Sequence, residues 1–164
     1  MTTPNSTDGY RSIIFTVPGE VRGQGRPRTQ VVNGRDGRSY AHIYQSHKDS
    51  NTKHNIQLYA KGALDKAGYA MAHPTARGIS VLVRIYMRMP NSFSQKKRNK
   101  ALGDEMRPQK KPDLDNVLKS VLDAMTGVVY RDDKEVTAIQ VVRHYYDSDR
   151  LAIKVSWNEE EKQK

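Results

Sequence analysis

The sequence predicts a single domain of the α/β (α+β) class, a mixed β-sheet with helices packed on it. Three observations predict it. A chain of 164 residues can bury one sizeable core but is short for two. Segments of period-2 hydrophobicity alternate with segments of helical period. No internal repeat or low-complexity linker separates them, so residues 1–164 read as one unit, with 1–10 and 158–164 as flexible tails.

Taken in order, residues 12–17 carry Ile13, Ile14, Phe15 and Val17 and form a first strand, closed by Pro18-Gly19. Residues 19–44 read as a long loop holding either two turns or a hairpin, with Asn33-Gly34 supplying positive φ. Over 47–67 the apolar positions Ile56, Tyr59, Ala60, Ala63, Leu64 and Ala67 recur at helical spacing, and Gly68 suits the C-terminal cap. Residues 79–89 alternate, sending Ile79, Val81, Val83, Ile85 and Met87 to a core and leaving Arg84 and Arg88 on the other face. A short basic helix over 94–102 ends before Gly103. A further helix over 114–125 turns Val117, Leu118, Val121, Leu122 and Met125 inward. Strands over 136–145 and 151–157, joined by Asp147-Ser148-Asp149, predict a C-terminal antiparallel hairpin.

Composition bounds the function. The hydrophobic fraction of 36% and charged fraction of 28% fit a soluble protein with no membrane span. No secretory signal pattern opens the chain, and without cysteine neither disulfides nor thiolate metal sites are expected, so the cytoplasm is the predicted location. No glycine pattern matches a phosphate-binding loop, which removes nucleotide hydrolysis and a nucleotide cofactor. The five histidines lack zinc spacing and read as structural or solvent-facing.

The net charge of +10 and pI near 9.8 point to a polyanionic partner, because neutralising phosphates releases condensed counterions. Between 90 and 111 the cations Lys96, Lys97, Arg98, Lys100, Arg107, Lys110 and Lys111 face only Asp104 and Glu105. Gly25-Arg26-Pro27-Arg28 reads either as a surface loop or as an arm whose Arg26 and Arg28 grip phosphates beside a rigid proline.

At the end of that basic segment the chain turns acidic, with Lys111-Pro112-Asp113-Leu114-Asp115-Asn116 and, later, Asp132-Asp133. In a regular helix Asp113 and Asp115 point to nearly opposite sides. Pro112 makes Asp113 a natural N-cap with extended backbone, so its side chain can swing towards that of Asp115. Lys119 stands at i+4 from Asp115, one turn below. A third carboxylate comes from Asp132 or Asp133, adjacent residues that point apart. Each feature alone also has a plain structural reading: a helix cap, an i,i+4 ion pair, a surface turn. Together they suggest a hard cation held by carboxylates, Mg²⁺ with Mn²⁺ as substitute.

Asp113-Leu114-Asp115-Asn116, with Lys119 and then Asp132-Asp133 after an apolar helix, resembles the RusA family of Holliday junction resolvases, common on bacteriophages and prophages. The order of strands and helices resembles it too. The resemblance implies a RusA-like fold, Asp113, Asp115 and Asp133 as magnesium-binding catalytic residues with Asp132 the less certain of its pair, Lys119 as a catalytic residue, and a homodimer that cuts four-way DNA junctions. The longer loop over 19–44 and basic segment over 91–111 bear on substrate range. Two other readings of the same residues are a metal nuclease acting on flaps or forks, and a non-catalytic basic nucleic-acid-binding module.

Overall fold

A computed structural model describes residues 9–23, 28–44, 47–72 and 78–159, with the backbone alone at 28, 42–44 and 47–50. In chain order it contains β1 (Tyr10–Pro18), β2 (Arg28–Asn33), β3 (Ser39–Tyr44), α1 (His47–Ala67), β4 (Ile79–Arg88), α2 (Gln95–Leu102), α3 (Leu114–Met125), a short 3-10 turn (Asp133–Glu135), β5 (Val136–Tyr146) and β6 (Arg150–Asn158). The mixed α+β class predicted from the sequence is the one observed.

Four strands form one sheet in the order β1-β6-β4-β5, and β2 pairs with β3 in a separate hairpin. β6 runs antiparallel to both β1 and β4, whereas β5 runs parallel to β4. The expected C-terminal hairpin is therefore wrong: β5 and β6 are not neighbours, because β4 lies between them. Residues 147–149 instead step across the end of β4. The Met89 amide donates to the Tyr146 carbonyl (3.0 Å), the Arg88 amide to the Asp149 carboxylate (2.7 Å) and the Gly19 amide to the Asp149 carbonyl (3.1 Å). Three extended residues reach about 10 Å, two inter-strand spacings, so one short acidic loop serves equally for a hairpin or for straddling a strand.

The pleat of β4 sorts its side chains as the alternation requires: Ile79, Val81, Val83, Ile85 and Met87 are buried, and Ser80, Arg84 and Arg88 are exposed. The buried positions join Ile13, Phe15 and Val17 of β1 and Leu151, Ile153, Val155 and Trp157 of β6. Two helices contribute to the same core. From α1 come Ile56, Ala60 and Leu64, and from α3 come Val117, Val121, Ala124 and Met125. Tyr59 and Ala67, expected on the buried stripe of α1, are exposed, since the covered line follows i, i+4, i+8 and Tyr59 falls to its solvent side.

The hairpin reading of the early loop is the one the structure takes, with Asn33 opposite Ser39. Positive φ falls on Gly37 (73°), not on Asn33-Gly34, while Asp36 organises the turn by accepting from the Tyr40 hydroxyl (2.7 Å) and the Arg38 amide (3.2 Å). Strand pairing also reaches into the predicted tails. Tyr10 pairs with Asn158, and the Glu159 amide donates to the Gly9 carbonyl (2.9 Å). The rest of both tails, 1–8 and 160–164, lies outside the described residues.

Gly78 shows how tightly β4 and β5 start together. Its φ is +72°, and a Cβ there would stand 2.3 Å from Thr137 Cγ2 and 2.8 Å from the Glu135 carbonyl oxygen. Gly78→Ala should cost about 1–3 kcal/mol of stability, read as a lowered urea midpoint at unchanged slope.

Candidate active site

The proline before the acidic motif acts as the sequence requires. Asp113 is the N-cap of α3 with extended backbone (φ −70°, ψ 147°), and the helix begins at Leu114. Its side chain makes no capping hydrogen bond, so the plain reading of Asp113 as a helix cap fails in its energetic sense: the backbone caps and the carboxylate is left over. Asp113, Asp115 and Lys119 are all exposed. Among the described residues Asp115 and Lys119 form no ion pair, so the second plain reading also fails.

The acidic turn separates its two aspartates by role. Asp132 caps the 3-10 turn, accepting from the Lys134 amide (3.0 Å), and its carboxylate pairs with Lys134 Nζ (3.1 Å). The Lys134 amide first, and then the Lys134 side chain, hold the Asp132 carboxyl below its ordinary pKa of 3.8. Asp133 is exposed and makes no ion pair among the described residues, which leaves it the more available of the two. Its charge acts on Tyr130, a fully buried residue whose hydroxyl donates to the Leu122 carbonyl (3.1 Å). Burial first, and the Asp133 charge second, push the Tyr130 hydroxyl upward. Leu122 is eight residues along α3 from Leu114, about 12 Å of helix rise. Among the described residues no group of three acidic or histidine side chains stands in an arrangement that could hold a metal ion by itself.

Two features at this site were missed in the sequence. The first is a cleft of about 390 Å³ lined by Glu20, Val21, Arg22, Gly23, Lys111, Pro112, Asp113 and Asn116. Gly23 packs so closely on α3 that a Cβ would lie 2.7 Å from Asn116 Cβ, which brings Glu20 and Arg22, themselves ion-paired, beside Asp113. The second is Arg143. Its guanidinium donates to the Lys110 carbonyl (2.9 Å) and the Pro112 carbonyl, tying the segment before Asp113 to β5, while its buried Nε has no partner. A charged residue between Val141 and Tyr145, at an inward position of an alternating strand, was the available signal.

The predicted phosphate contacts divide. Lys96 and Lys97 are exposed on α2, and Lys110 and Lys111 are exposed before α3. Arg98 is half-buried and spends donors on the Phe93 (3.3 Å) and Pro90 (3.5 Å) carbonyls, so it clamps its own loop. Arg28 lies in β2 without a described side chain, and Arg26 lies outside the described residues.

The family model described as "Endodeoxyribonuclease RusA" matches residues 18–156. A protein of Bacillus subtilis (strain 168) named "Uncharacterized protein YqaN" is 33% identical over 145 residues, covering 87% of this chain and 94% of that one.

A carboxyl held low in the folded state adds stability above its unfolded pKa and loses it as pH falls through the folded value. In a carbon-detected NMR titration Asp132 should therefore titrate below 3.8. Lys134→Ala should remove only the smaller part of that depression, because the amide that causes most of it remains. A return of Asp132 to its ordinary value in Lys134→Ala would make the side chain the main cause.

Proposed function

The chain belongs to the RusA endodeoxyribonuclease family, and from that premise we propose that it is a magnesium-dependent, structure-selective endonuclease that resolves four-way DNA junctions in recombination and repair. The observation that carries the reading is the state of the head of α3, where an extended cap residue keeps its carboxylate out of the helix and Asp115 and Lys119 stand exposed without pairing to each other.

The donor set fits a hard cation. Magnesium takes oxygen ligands and is commonly bound through one or two carboxylates together with phosphate oxygens and waters, which Asp113 and Asp115 satisfy without a third protein ligand. Asp133 is kept as the third ligand on the family resemblance, supported by its exposure beside an Asp132 already spent on Lys134. When bound, the cation supplies Lewis-acid stabilisation of a phosphoryl oxygen and activation of water for in-line attack, leaving 5′-phosphate and 3′-hydroxyl ends. Lys119 adds a fixed positive charge where negative charge builds in the transition state. The unpaired amides in the first turn of α3 and its positive dipole end favour a phosphate at the same place. Lys110 and Lys111 lead the DNA backbone in, and Lys96 and Lys97 extend the basic track.

We place the protein in the bacterial cytoplasm as a phage- or prophage-type member; no helix among the described residues is long and apolar enough to cross a membrane. A homodimer is proposed because a four-way junction has two equivalent strands to cut, and C2 symmetry sets two identical sites at related phosphates.

Labelled four-way junction and matched duplex, incubated with Mg²⁺ or with EDTA, test the reading. Junction-selective, EDTA-sensitive cutting is expected. Asp113→Asn and Asp115→Asn should lower single-turnover cleavage at least a hundredfold while junction affinity persists. Lys119→Ala should lower the cleavage rate far more than affinity, as for a group acting on the transition state. Preferential cutting of flaps would move the substrate class, and binding with no cutting in Mg²⁺ would remove the enzyme.

A supercoiled plasmid with an extruded cruciform tests the dimer. Paired nicks within one binding event give linear product directly, whereas nicked circles alone from a chain that sediments as a monomer would exclude it.

A further inference from the structure

α1 and α3 cover one face of the four-stranded sheet, and among the described residues no helix covers the other, which is bare. β4 is an interior strand, yet Ser80, Arg84 and Arg88 on its outer side are exposed. Register places Tyr86 beside Arg150 of β6 and His144 of β5, Leu82 beside Lys154, and Arg88 beside Tyr146. The bare face therefore gathers Arg84, Arg88, Arg150 and Lys154, with Tyr86 and Tyr146 among them. None of the four sheet strands contains an aspartate or glutamate. Among the described residues none of the four cations has a carboxylate partner. Three acids flank the face from outside its strands, Asp147 and Asp149 in the loop between β5 and β6 and Asp104 after α2. Asp104 is already engaged by Arg107 and by His144 Nδ1 (3.0 Å), and the Asp149 carboxylate accepts from the Arg88 amide.

The face is also ordered. The Arg150 guanidinium lies 4.1 Å from the ring centroid of Tyr146 and 4.6 Å from that of Tyr86, and His144 stacks on Tyr86 at 5.5 Å. Aromatic faces fix the planar fork of an arginine without consuming its N–H donors, and a guanidinium so held is suited to phosphate oxygens.

We infer that this bare sheet face is a second DNA-binding surface, taking the phosphate backbone of a duplex arm on the side of the sheet opposite α3 and its carboxylates. Charge decides the occupant. Uncancelled cations across a face match a polyanion, whereas a second copy docked on it by two-fold symmetry would set the same cations against themselves. The inference rests on the junction-nuclease reading only for the choice of DNA as the polyanion.

The test is equilibrium binding of blunt duplex DNA by the full chain in EDTA over a range of salt, so that cleavage plays no part. Arg84→Gln with Lys154→Gln should weaken binding several-fold and flatten the plot of log affinity against log salt by about 2 units. The charge-conserving pair Arg84→Lys with Lys154→Arg should restore both, which separates lost contacts from misfolding. A control pair on α1, Lys53→Gln with Lys66→Gln, should leave the slope nearly unchanged. An equal effect of both neutralised pairs would reduce the face to general charge and overturn the proposal. So would an unchanged slope in Arg84→Gln with Lys154→Gln, or an Arg84→Glu with Lys154→Glu variant that sediments at a lower mass than the parent, which would make the face a contact between copies. Duplex binding with these properties by a chain that never cuts junctions would sink the nuclease reading alone.

Discussion

The parallel pairing of β5 with β4 is the constraint on which the rest of this molecule hangs. Antiparallel neighbours can be joined by a tight turn, but parallel neighbours need a crossover that carries the chain back to the starting end of the sheet. Here the crossover is everything between Arg88 and Val136: the basic α2, the Lys110-Lys111 approach, α3 with Asp113, Asp115 and Lys119, and the Asp132-Asp133 turn. One topological requirement thus gathers the catalytic candidates into one connection. Arg143 closes the arrangement from the far side, since β5 is the strand the crossover leads to, and its guanidinium holds the carbonyls of Lys110 and Pro112. The burial of Arg143 serves that tie. A half-buried cation with an unpartnered Nε is costly unless its other donors are well used, and both carbonyls belong to the segment that aims Asp113.

Acid in a basic chain is stable only where it is either consumed or needed. Asp36, Asp104, Asp132 and Asp149 are consumed, by Tyr40 and Arg38, by Arg107 and His144, by Lys134, and by the Arg88 amide. For Asp36, Asp104 and Asp132 the carboxyl is held low by those partners. Among the described residues nothing consumes Asp113 and Asp115, although α3 offers Asp113 the common N-cap bond. Declining a local bond that is available is the mark of a group kept for something else. Asp133 presents an intermediate case, exposed and without an ion pair among the described residues, yet with a charge that acts on the buried Tyr130.

Much of this was legible in the sequence because it is written in local signals. Ser94 caps α2 through a side chain that accepts from the Lys97 amide, Gly103 follows its end, and α3 begins one residue after Asp113, each read from residue types within a few positions. What was not legible is non-local. Asp147-Ser148-Asp149 looks the same whether it turns back on β5 or steps over β4, because strand order is decided by packing among segments distant in the chain. Tyr59 fits a helical stripe by period, but the sheet covers only the narrower line through Ile56, Ala60 and Leu64. Glu20 follows a strand end with nothing local to tie it to Asp113. That link depends on Gly23 fitting against Asn116.

A sheet with one face buried and one bare needs an account of its bare side. An exposed apolar residue such as Ile14, 67% exposed, would invite another strand or another copy. Cations set across the interior strands oppose that, since any self-association through the face must bring like charges together as water is removed. The exposed face of an antiparallel sheet ordinarily alternates charges of both signs, whereas here the strand residues supply only one. Self-repulsion of this kind costs stability, and the compensation lies on the other face, where Trp157, Ile153, Val155 and the buried side of β4 meet α1 and α3. The two faces have divided the work: one side holds the fold and hangs the carboxylates from it, and the other is free to be electrostatically one-sided.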